Sequence, residues 1–251
     1  MLLINDLSKS FGGIAALKNL DLEVNTGEVV GLIGPNGSGK TTTINLVTGI
    51  YSSDAGSVIL DGKHITNKAA NKITRAGMAR TFQNLRIFER LTVKENIMVA
   101  QNIFNSSFFK SFNVLQKMEE QQLVNETDDL LTKFNLILVK NNKAGSLSYG
   151  EKKRLEMARA LAMRPKILLL DEPAAGMSPP ELEWLKETIN DLRSSGLAIL
   201  LIEHHMRLVM GVCDRICVLN FGNKIAEGTP SSISRDPEVI TAYLGRENSH
   251  A

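Results

Sequence analysis

The stretch from Gly34 to Thr41, GPNGSGKT, decides the fold of this chain. It matches the pattern G-x-x-x-x-G-K-[ST], in which glycines let backbone N–H groups curl around phosphate oxygens without a Cβ clash. The run EVVGLI at 28–33 predicts a buried strand before it, and a helix is predicted from about Lys40 to Thr48 after it. A strand, this loop and a helix in that order indicate a phosphate-binding loop.

Two side chains of the loop have distinct predicted tasks. Lys40 reaches the β- and γ-phosphates of a nucleotide, and the Thr41 hydroxyl ligates Mg²⁺. A guanine-reading N-K-x-D motif is missing, because neither Asn67-Lys68 nor Asn142-Lys143 is followed by the required Asp. We therefore set the signalling GTPases aside. The residues predicted to bind the nucleotide here are Gly34, Asn36, Gly37, Ser38, Gly39, Lys40, Thr41 and Thr42.

Two further apolar runs end in polar residues. The run ILLL at 167–170 is followed by Asp171 and Glu172, and LLI at 200–202 is followed by a glutamate and two histidines. Ligands bind at the carboxyl ends of strands in open α/β sheets. We therefore predict that Asp171 holds Mg²⁺ and that Glu172 orients or deprotonates the attacking water. At the second strand end we predict that His204, rather than His205, hydrogen-bonds the γ-phosphate.

The remaining pattern predicts an α/β core interrupted by a helical insertion. Helix-like periodicity runs from Leu91 to about Asn135, broken by the polar, aromatic stretch NSSFFKSFN at 105–113, and residues 114–136 predict a long charged amphipathic helix. We place the core at about 1–83 and 164–251 and the insertion at about 84–163. The other predicted strands are 17–24, 57–60, 78–82, 198–202, 215–219 and 224–226.

Composition excludes several classes of protein. Lys plus Arg is 29 and Asp plus Glu is 27, so a formal charge of +2 favours neither a nucleic-acid partner nor a polybasic membrane contact. The apolar runs are far shorter than a membrane span. Cys213 and Cys217 are the only cysteines, so we predict small core residues rather than a disulfide framework or a metal site.

A second candidate phosphate loop lies at LSYGE, 147–151, where Ser148 and Gly150 lead into a basic helix. Together with the phosphate loop, the acidic strand end and His204, this loop resembles the signature of the ATP-binding cassette (ABC) family, the ATPase subunits of ABC transporters. Gln83, in TFQNLRIF, matches the family loop that couples ATP to the membrane subunits. Phe11, in KSFGG, matches the aromatic residue that stacks on adenine.

The resemblance implies an ATPase that binds ATP and Mg²⁺, with Thr41, Gln83 and Asp171 as metal ligands. It implies a RecA-like α/β core, an N-terminal β subdomain and an inserted helical subdomain. Two cassettes pack head to tail in this family, so Ser148 and Gly150 face the ATP of a second, homologous ATPase. Further implied partners are two permeases and an extracytoplasmic substrate-binding protein, which place the chain at the cytoplasmic face of the inner membrane.

A narrower resemblance is to the larger ATPase of branched-chain amino acid importers. It is carried by ARTFQNLRIFERLTVKENI, LSYGEKKRLEMARALA, DEPAAGMSP, LIEHHM and the terminal AYLG. The alternatives left open are uptake of urea or other amino acids and export of lipopolysaccharide. DNA-repair and ribosome-binding ATPases are weaker alternatives, because the former insert long coiled coils and the latter carry two cassettes.

Three positions depart from the family pattern. Tyr149 replaces a signature glycine, Glu151 replaces a glutamine, and Ser178 stands where an aspartate is frequent. The substitution at Ser178 removes the carboxylate of the contact that the family makes there across a dimer, whereas Lys40, Asp171 and Glu172 are unaffected.

Overall fold

The structure, a computed structural model, describes residues 1–83, 85–101 and 114–244. Its contacts separate into two compact units. Unit 1 contains Met1–Arg80 and the chain from Lys166 onward, and unit 2 is Thr81–Pro165. The interruption predicted at 105–113 and the glycine of the terminal AYLG lie outside the described residues.

The first sheet of unit 1 has four antiparallel strands in the order β2-β1-β4-β5. Buried and more exposed side chains alternate along parts of β1, β2 and β4, as in a sheet with one face packed on a core, whereas both residues of β5 are exposed. The long hairpin of the first two strands pairs Leu2 with Val24 and Phe11 with Ile14. The strands are β1 Leu2–Phe11, β2 Ile14–Val24, β4 Ala55–Leu60 and β5 Lys63–His64.

The second sheet of unit 1 has six strands in the order β10-β9-β3-β8-β7-β6, parallel except for β10. Three of its central strands are buried at every residue, which explains their continuous apolar sequences. The strands are β3 Val29–Ile33, β6 Met78–Arg80, β7 Ile167–Asp171, β8 Ala198–Ile202, β9 Arg215–Asn220 and β10 Asn223–Gly228.

Six helices of unit 1 lie in the described residues. One apolar cluster joins both sheets to the first helix, with Leu2, Leu32, Ile44 and Leu200 among its buried members. The last helix begins as predicted, because the Asp236 carboxylate accepts the N–H of Glu238 at 2.8 Å. The helices are α1 Lys40–Val47, α2 Ala70–Arg75, α6 Pro179–Ser194, α7 Met206–Val212, α8 Pro230–Ile233 and α9 Pro237–Leu244.

Unit 2 is helical throughout its described regular structure, apart from two short 3₁₀ turns and an isolated bridge between Thr92 and Lys143. Leu131, Phe134 and Leu155 are fully buried in it. Its helices are α3 Val93–Gln101, α4 Val114–Lys133 and α5 Tyr149–Ala162. The long charged helix predicted at 114–136 is therefore confirmed, three residues shorter.

Two strands, β1 and the two-residue β5, have no counterpart in the sequence analysis. The register of β1 against β2 shifts between Ile4 and Leu7 and again beyond it, and Asp6 has a positive φ of 47°. Such bulges break the alternation of apolar and polar residues by which a strand is recognised in a sequence.

The two cysteines are core residues, as predicted. Cys213 and Cys217 are both free and buried. Burial raises the pKa of each thiol to about 12, so both stay protonated near neutral pH.

Candidate functional site

The phosphate loop connects β3 to α1 in unit 1 and can be built only with glycine at two positions. Gly34 has a φ of 148°, and a Cβ there would lie 2.1 Å from the carbonyl oxygen of Leu219. At Gly39, φ is 112° and a Cβ would lie 2.7 Å from the Ala16 carbonyl oxygen. Gly37, also at positive φ, has no neighbouring atom within 4 Å of its Cβ position. Neighbouring backbone therefore packs closely against the loop at Gly34 and Gly39, whereas the space beside Gly37 is open.

The polar groups of this loop suit an anion. The Lys40 ammonium is buried and donates hydrogen bonds to the carbonyl oxygens of Gly34 and Pro35, at 2.7 and 3.0 Å. Ser38 Oγ is buried and has no hydrogen-bond partner among the described residues. Within the same residues, no side chain caps the N-terminus of α1 and its first turn has no acid. Its N–H groups can therefore bind phosphate.

Two carboxylates follow one another where β7 ends. Asp171 is the buried last residue of the strand and accepts a hydrogen bond from Arg80 Nη2 at 2.8 Å. Glu172 has a positive φ of 48°, and its N–H donates to the Ile202 carbonyl of β8 at 2.9 Å. The left-handed backbone turns successive side chains in different directions, and this conformation costs a non-glycine residue free energy.

Arg80 is a site residue that the sequence analysis missed. Besides Asp171, its guanidinium contacts Asn45 Oδ1 at 2.8 Å and Thr48 Oγ1 at 3.2 Å. It therefore connects the acidic end of β7 to the helix that begins at the phosphate loop. A cation in an otherwise apolar strand was a signal that could have found it.

The polar residues that follow β8 lie beside those that follow β7. His204 Nδ1 lies 3.9 Å from Glu172 Oε1, and its side chain is 66% exposed. His205 differs, because its Nδ1 is buried without a hydrogen-bond partner among the described residues. Glu203, which the sequence analysis also missed, is buried between the two strand ends.

These residues come together because of the sheet order. β8 lies between β3 and β7, and all three run parallel. Their carboxyl ends carry, respectively, the loop to Lys40, the pair Asp171 and Glu172, and His204. That edge of a parallel sheet is where α/β proteins bind ligands.

Phe11 is an exposed aromatic ring at the end of β1. Its ring centroid lies 5.3 Å from that of Tyr51 in an edge-to-face arrangement, with Lys9 Nζ at 5.4 Å. Lys9 is in turn paired with Asp54 at 2.7 Å. The ring is therefore held in place and still exposes part of its surface for stacking.

Gln83, Ser148 and Gly150 belong to unit 2. Ser148 is the N-cap of α5, and its Oγ accepts the N–H of Glu151 at 3.3 Å. The Glu151 carboxylate accepts both the N–H and the hydroxyl of Ser148 at 2.8 Å. This capping box fixes the start of the helix. Gln83 is exposed, and the N–H of its neighbour Phe82 donates to Glu156 of α5 at 3.0 Å.

Comparisons with known proteins identify the family of this chain. The model of the ABC transporter family matches residues 17–175, and that of the branched-chain amino acid ATP-binding cassette transporters matches residues 223–248. The chain belongs to the ABC transporter family. It is an ATP-binding cassette, and its class is that of the ATPases. The predicted α/β phosphate-loop fold is thereby confirmed.

Similar proteins span nearly the whole chain. The high-affinity branched-chain amino acid transport ATP-binding protein BraF of Pseudomonas aeruginosa is 43% identical, covering 96% of both chains. The lipopolysaccharide export system ATP-binding protein LptB of Escherichia coli K12 is 37% identical, also covering 96% of both. The crystal structure of a nucleotide-free ATP-binding cassette from an ABC transporter superposes with a TM-score of 0.84 at 32% identity, covering 98% of this chain and 99% of that one.

A membrane-crossing helix is not found in the described parts of the chain, since none there is both long and apolar enough.

Proposed function

We propose that this chain hydrolyses ATP to drive uptake of leucine, isoleucine and valine by a membrane transporter. The observation that carries the proposal is the meeting of Glu172 and His204 beside the buried Asp171, at the strand ends next to the phosphate loop. Two comparisons support the substrate: identity is higher with BraF than with LptB, and the C-terminal segment matches the branched-chain cassettes.

ATP binding is assigned to the loop and to the aromatic ring at the end of β1. Lys40 exchanges its two carbonyl acceptors for the β- and γ-phosphates, and Ser38 Oγ gains the partner that it lacks within the described protein. Backbone N–H groups of the loop, including those of Asn36, Gly37 and Gly39, surround the phosphates together with those of Lys40, Thr41 and Thr42. Phe11 stacks on the adenine ring.

The residues at this site also fit Mg²⁺. Thr41 is exposed at the start of α1 and Asp171 ends β7, so the two bring a hydroxyl and a carboxylate to the site, and Gln83 is proposed as a further ligand. Among the described residues, no three His, Cys, Asp or Glu side chains form a metal cluster. That is expected for Mg²⁺, which proteins hold with few carboxylates together with phosphates. When bound, the ion neutralises phosphate charge.

Hydrolysis uses two neighbouring side chains. The Glu172 carboxylate accepts a proton from the water that attacks the γ-phosphate. The left-handed backbone at Glu172 directs this side chain away from that of Asp171. The exposed His204 ring hydrogen-bonds the γ-phosphate and lies close enough to Glu172 for both to act on one reacting group.

We further propose that the chain forms one cassette domain, with a core of about residues 1–83 and 164–251, and that it acts in a head-to-tail pair with a homologous ATPase. Ser148 and Gly150 then bind the partner's ATP through the start of α5. Two permeases and an extracytoplasmic binding protein complete the transporter. The chain is held at the cytoplasmic face of the inner membrane through these permeases.

Replacing Glu172 with glutamine tests the reaction. The variant should bind ATP with near-parental affinity but hydrolyse it about 10²–10⁴-fold more slowly, because the general base is lost. Turnover and binding of a fluorescent ATP analogue are measured on the full chain with its partner ATPase. In cells, the variant should also fail to restore uptake of labelled leucine, isoleucine and valine to a deletion strain.

Glu187→Gln, an exposed and equally charged position in α6, is the matched control and should behave like the parent. Near-parental hydrolysis by Glu172→Gln would assign the base elsewhere. Normal amino acid uptake in the deletion strain would assign the transporter another substrate.

A further inference from the structure

Glu203 is a buried carboxylate that takes no part in the proposed binding or hydrolysis of ATP. It follows β8 directly, before His204, and it is only 1% exposed. Burying a carboxylate this deep in a protein is costly unless both of its oxygens accept hydrogen bonds.

The hydrogen bonds of Glu203 join two loops. Oε1 accepts the N–H of Ala174 at 2.8 Å, in the loop that follows Glu172. Oε2 accepts the N–H groups of His204 and His205 at 2.9 and 3.0 Å. One side chain thus binds the backbone on both sides of the gap between the ends of β7 and β8.

Only a carboxylate suits this position. Both of its oxygens accept hydrogen bonds, whereas a glutamine amide would turn an NH₂ group toward N–H donors on one side. The neighbouring strands are already tied by the hydrogen bond from Glu172 N–H to the Ile202 carbonyl at 2.9 Å. Glu203 adds a second connection between the two loops, beyond the ends of the strands, where sheet hydrogen bonds no longer hold the backbone.

We propose that Glu203 is a positioning residue that fixes the backbone of His204 to the loop carrying Glu172, so that the two side chains keep one geometry around the γ-phosphate. This inference rests on the proposed ATPase function. It assigns Glu203 no contact with the nucleotide and no proton transfer.

The first test is Glu203→Gln in the full chain with its partner ATPase. We expect kcat to fall about ten- to a hundredfold, since small misplacements of catalytic groups have effects of this size. The KM for ATP should stay within about twofold, because the phosphate loop is untouched. Glu187→Gln is the control. A rise in KM with unchanged kcat would overturn the proposal.

A double-mutant cycle separates positioning from general structural support. In a His204→Ala background, Glu203→Gln should lower kcat by less than about threefold, because the residue that it positions is gone. An undiminished loss of kcat in that background would show that Glu203 does not act through His204.

Amide hydrogen exchange provides a readout that requires no ATP turnover. In the parent chain, the N–H groups of Ala174, His204 and His205 should be protected although they lie in loops. Glu203→Gln should speed exchange at both loops together and leave the interior of α6 protected. Faster exchange in one loop alone would overturn the link between them.

These readouts distinguish the possible failures. An inactive parent chain with protected amides would refute the proposed ATPase function and leave the link between the loops standing. An active parent whose Ala174, His204 and His205 amides exchange freely would refute the role of Glu203. The parent measurement is decisive even if Glu203→Gln fails to fold.

Discussion

The two helix N-termini proposed to bind phosphate, those of α1 and α5, differ in what occupies them. The start of α1 has Gly39 as its N-cap and a buried Lys40, and no side chain within the described residues caps it. The start of α5 already contains an anion, because the Glu151 carboxylate lies 2.8 Å from both the N and the Oγ of Ser148. The first end is ready to bind a phosphate, whereas at the second end a phosphate must approach a carboxylate.

This difference predicts that the two proposed phosphate loops bind phosphate with unequal strength. The α1 end has a cation and uncapped N–H groups and should bind ATP in the chain alone. The α5 end should bind phosphate only when a partner brings ATP to it. The comparison therefore predicts unequal effects of substitutions at the two ends.

The largest difference should be in ATP affinity. Lys40→Ala should weaken ATP binding by the chain alone about 10- to 150-fold, since a hydrogen bond to a charged group contributes about 1.5–3 kcal/mol. Ser148→Ala should change it less than about twofold. Calorimetric titration measures both, with Lys68→Ala, at an exposed lysine, as the control. Equal losses at Lys40 and Ser148 would remove the distinction between the two ends.

A smaller effect should follow from removing the carboxylate at the start of α5. Glu151→Gln keeps an acceptor for Ser148 but removes the charge near the arriving phosphate. In a Glu172→Gln background, ATP-dependent association with the partner ATPase should tighten about two- to fivefold, the range expected for one charge at a helix end. Analytical ultracentrifugation with and without ATP measures this association.

The control lies in the same unit. Glu95 of α3 forms the same box with Thr92, accepting its N–H at 2.6 Å and returning a hydrogen bond at 3.1 Å. Glu95→Gln should leave association unchanged, since α3 is assigned no phosphate. An equal gain from both substitutions would indicate a general effect of net charge.

The smallest effect concerns pH. Burial raises the pKa of Glu156 in α5, despite hydrogen bonds from Phe82 and Arg86 and the charge of Lys153. Because the folded state holds this proton more tightly, its contribution to stability is complete below pH 4.5 and is lost as pH rises through the raised pKa. Glu156→Gln should therefore gain stability relative to the parent as pH rises from 4.5 through the raised pKa, measured by urea unfolding.

For Glu28 of unit 1 we expect the opposite change of the free energy of unfolding with pH. Burial raises its pKa, but hydrogen bonds from Arg215 and Asn25 more than compensate, so the pKa is lowered overall. Its contribution is complete above pH 4.5 and is lost as pH falls through the lowered pKa, so Glu28→Gln should lose stability relative to the parent as pH rises toward 4.5. If the stability of Glu156→Gln and that of Glu28→Gln, each relative to the parent, changed with pH in the same direction, the pKa shifts assigned to these residues would be contradicted.

Local sequence patterns predicted the phosphate loop, the buried central strands and the polar residues at their ends. Each depends on residues close together in the chain, such as Gly34 to Thr41 or Asp171 and Glu172. The box at α5 was also visible, since Ser148 and Glu151 have the S-x-x-E spacing. The sequence analysis assigns Ser148 to a phosphate loop and treats Glu151 as a departure from the family signature, without identifying the box that they form.

Contacts between distant segments could not be predicted in this way. Arg80 meets Asp171 because β6 pairs with β7, although 91 residues separate the two in the chain. Glu203 reaches Ala174 because β8 lies beside β7. The cation in β6 marks Arg80 as unusual, but the sequence of neither strand indicates which distant residue its side chain contacts.

The central claim, that α1 and α5 serve different ATP molecules, is tested most directly by a mixed pair of cassettes. This chain carries Lys40→Ala, and the partner ATPase carries arginine at the serine equivalent to Ser148. Both also carry glutamine at the catalytic glutamate, so that bound ATP is trapped. If each ATP lies between two cassettes, one site contains both lesions and the other contains none. We predict about one trapped ATP per mixed pair, against about two in the pair without these lesions. No trapped ATP, with each single variant folded, would show that each chain builds its own site and would contradict the account.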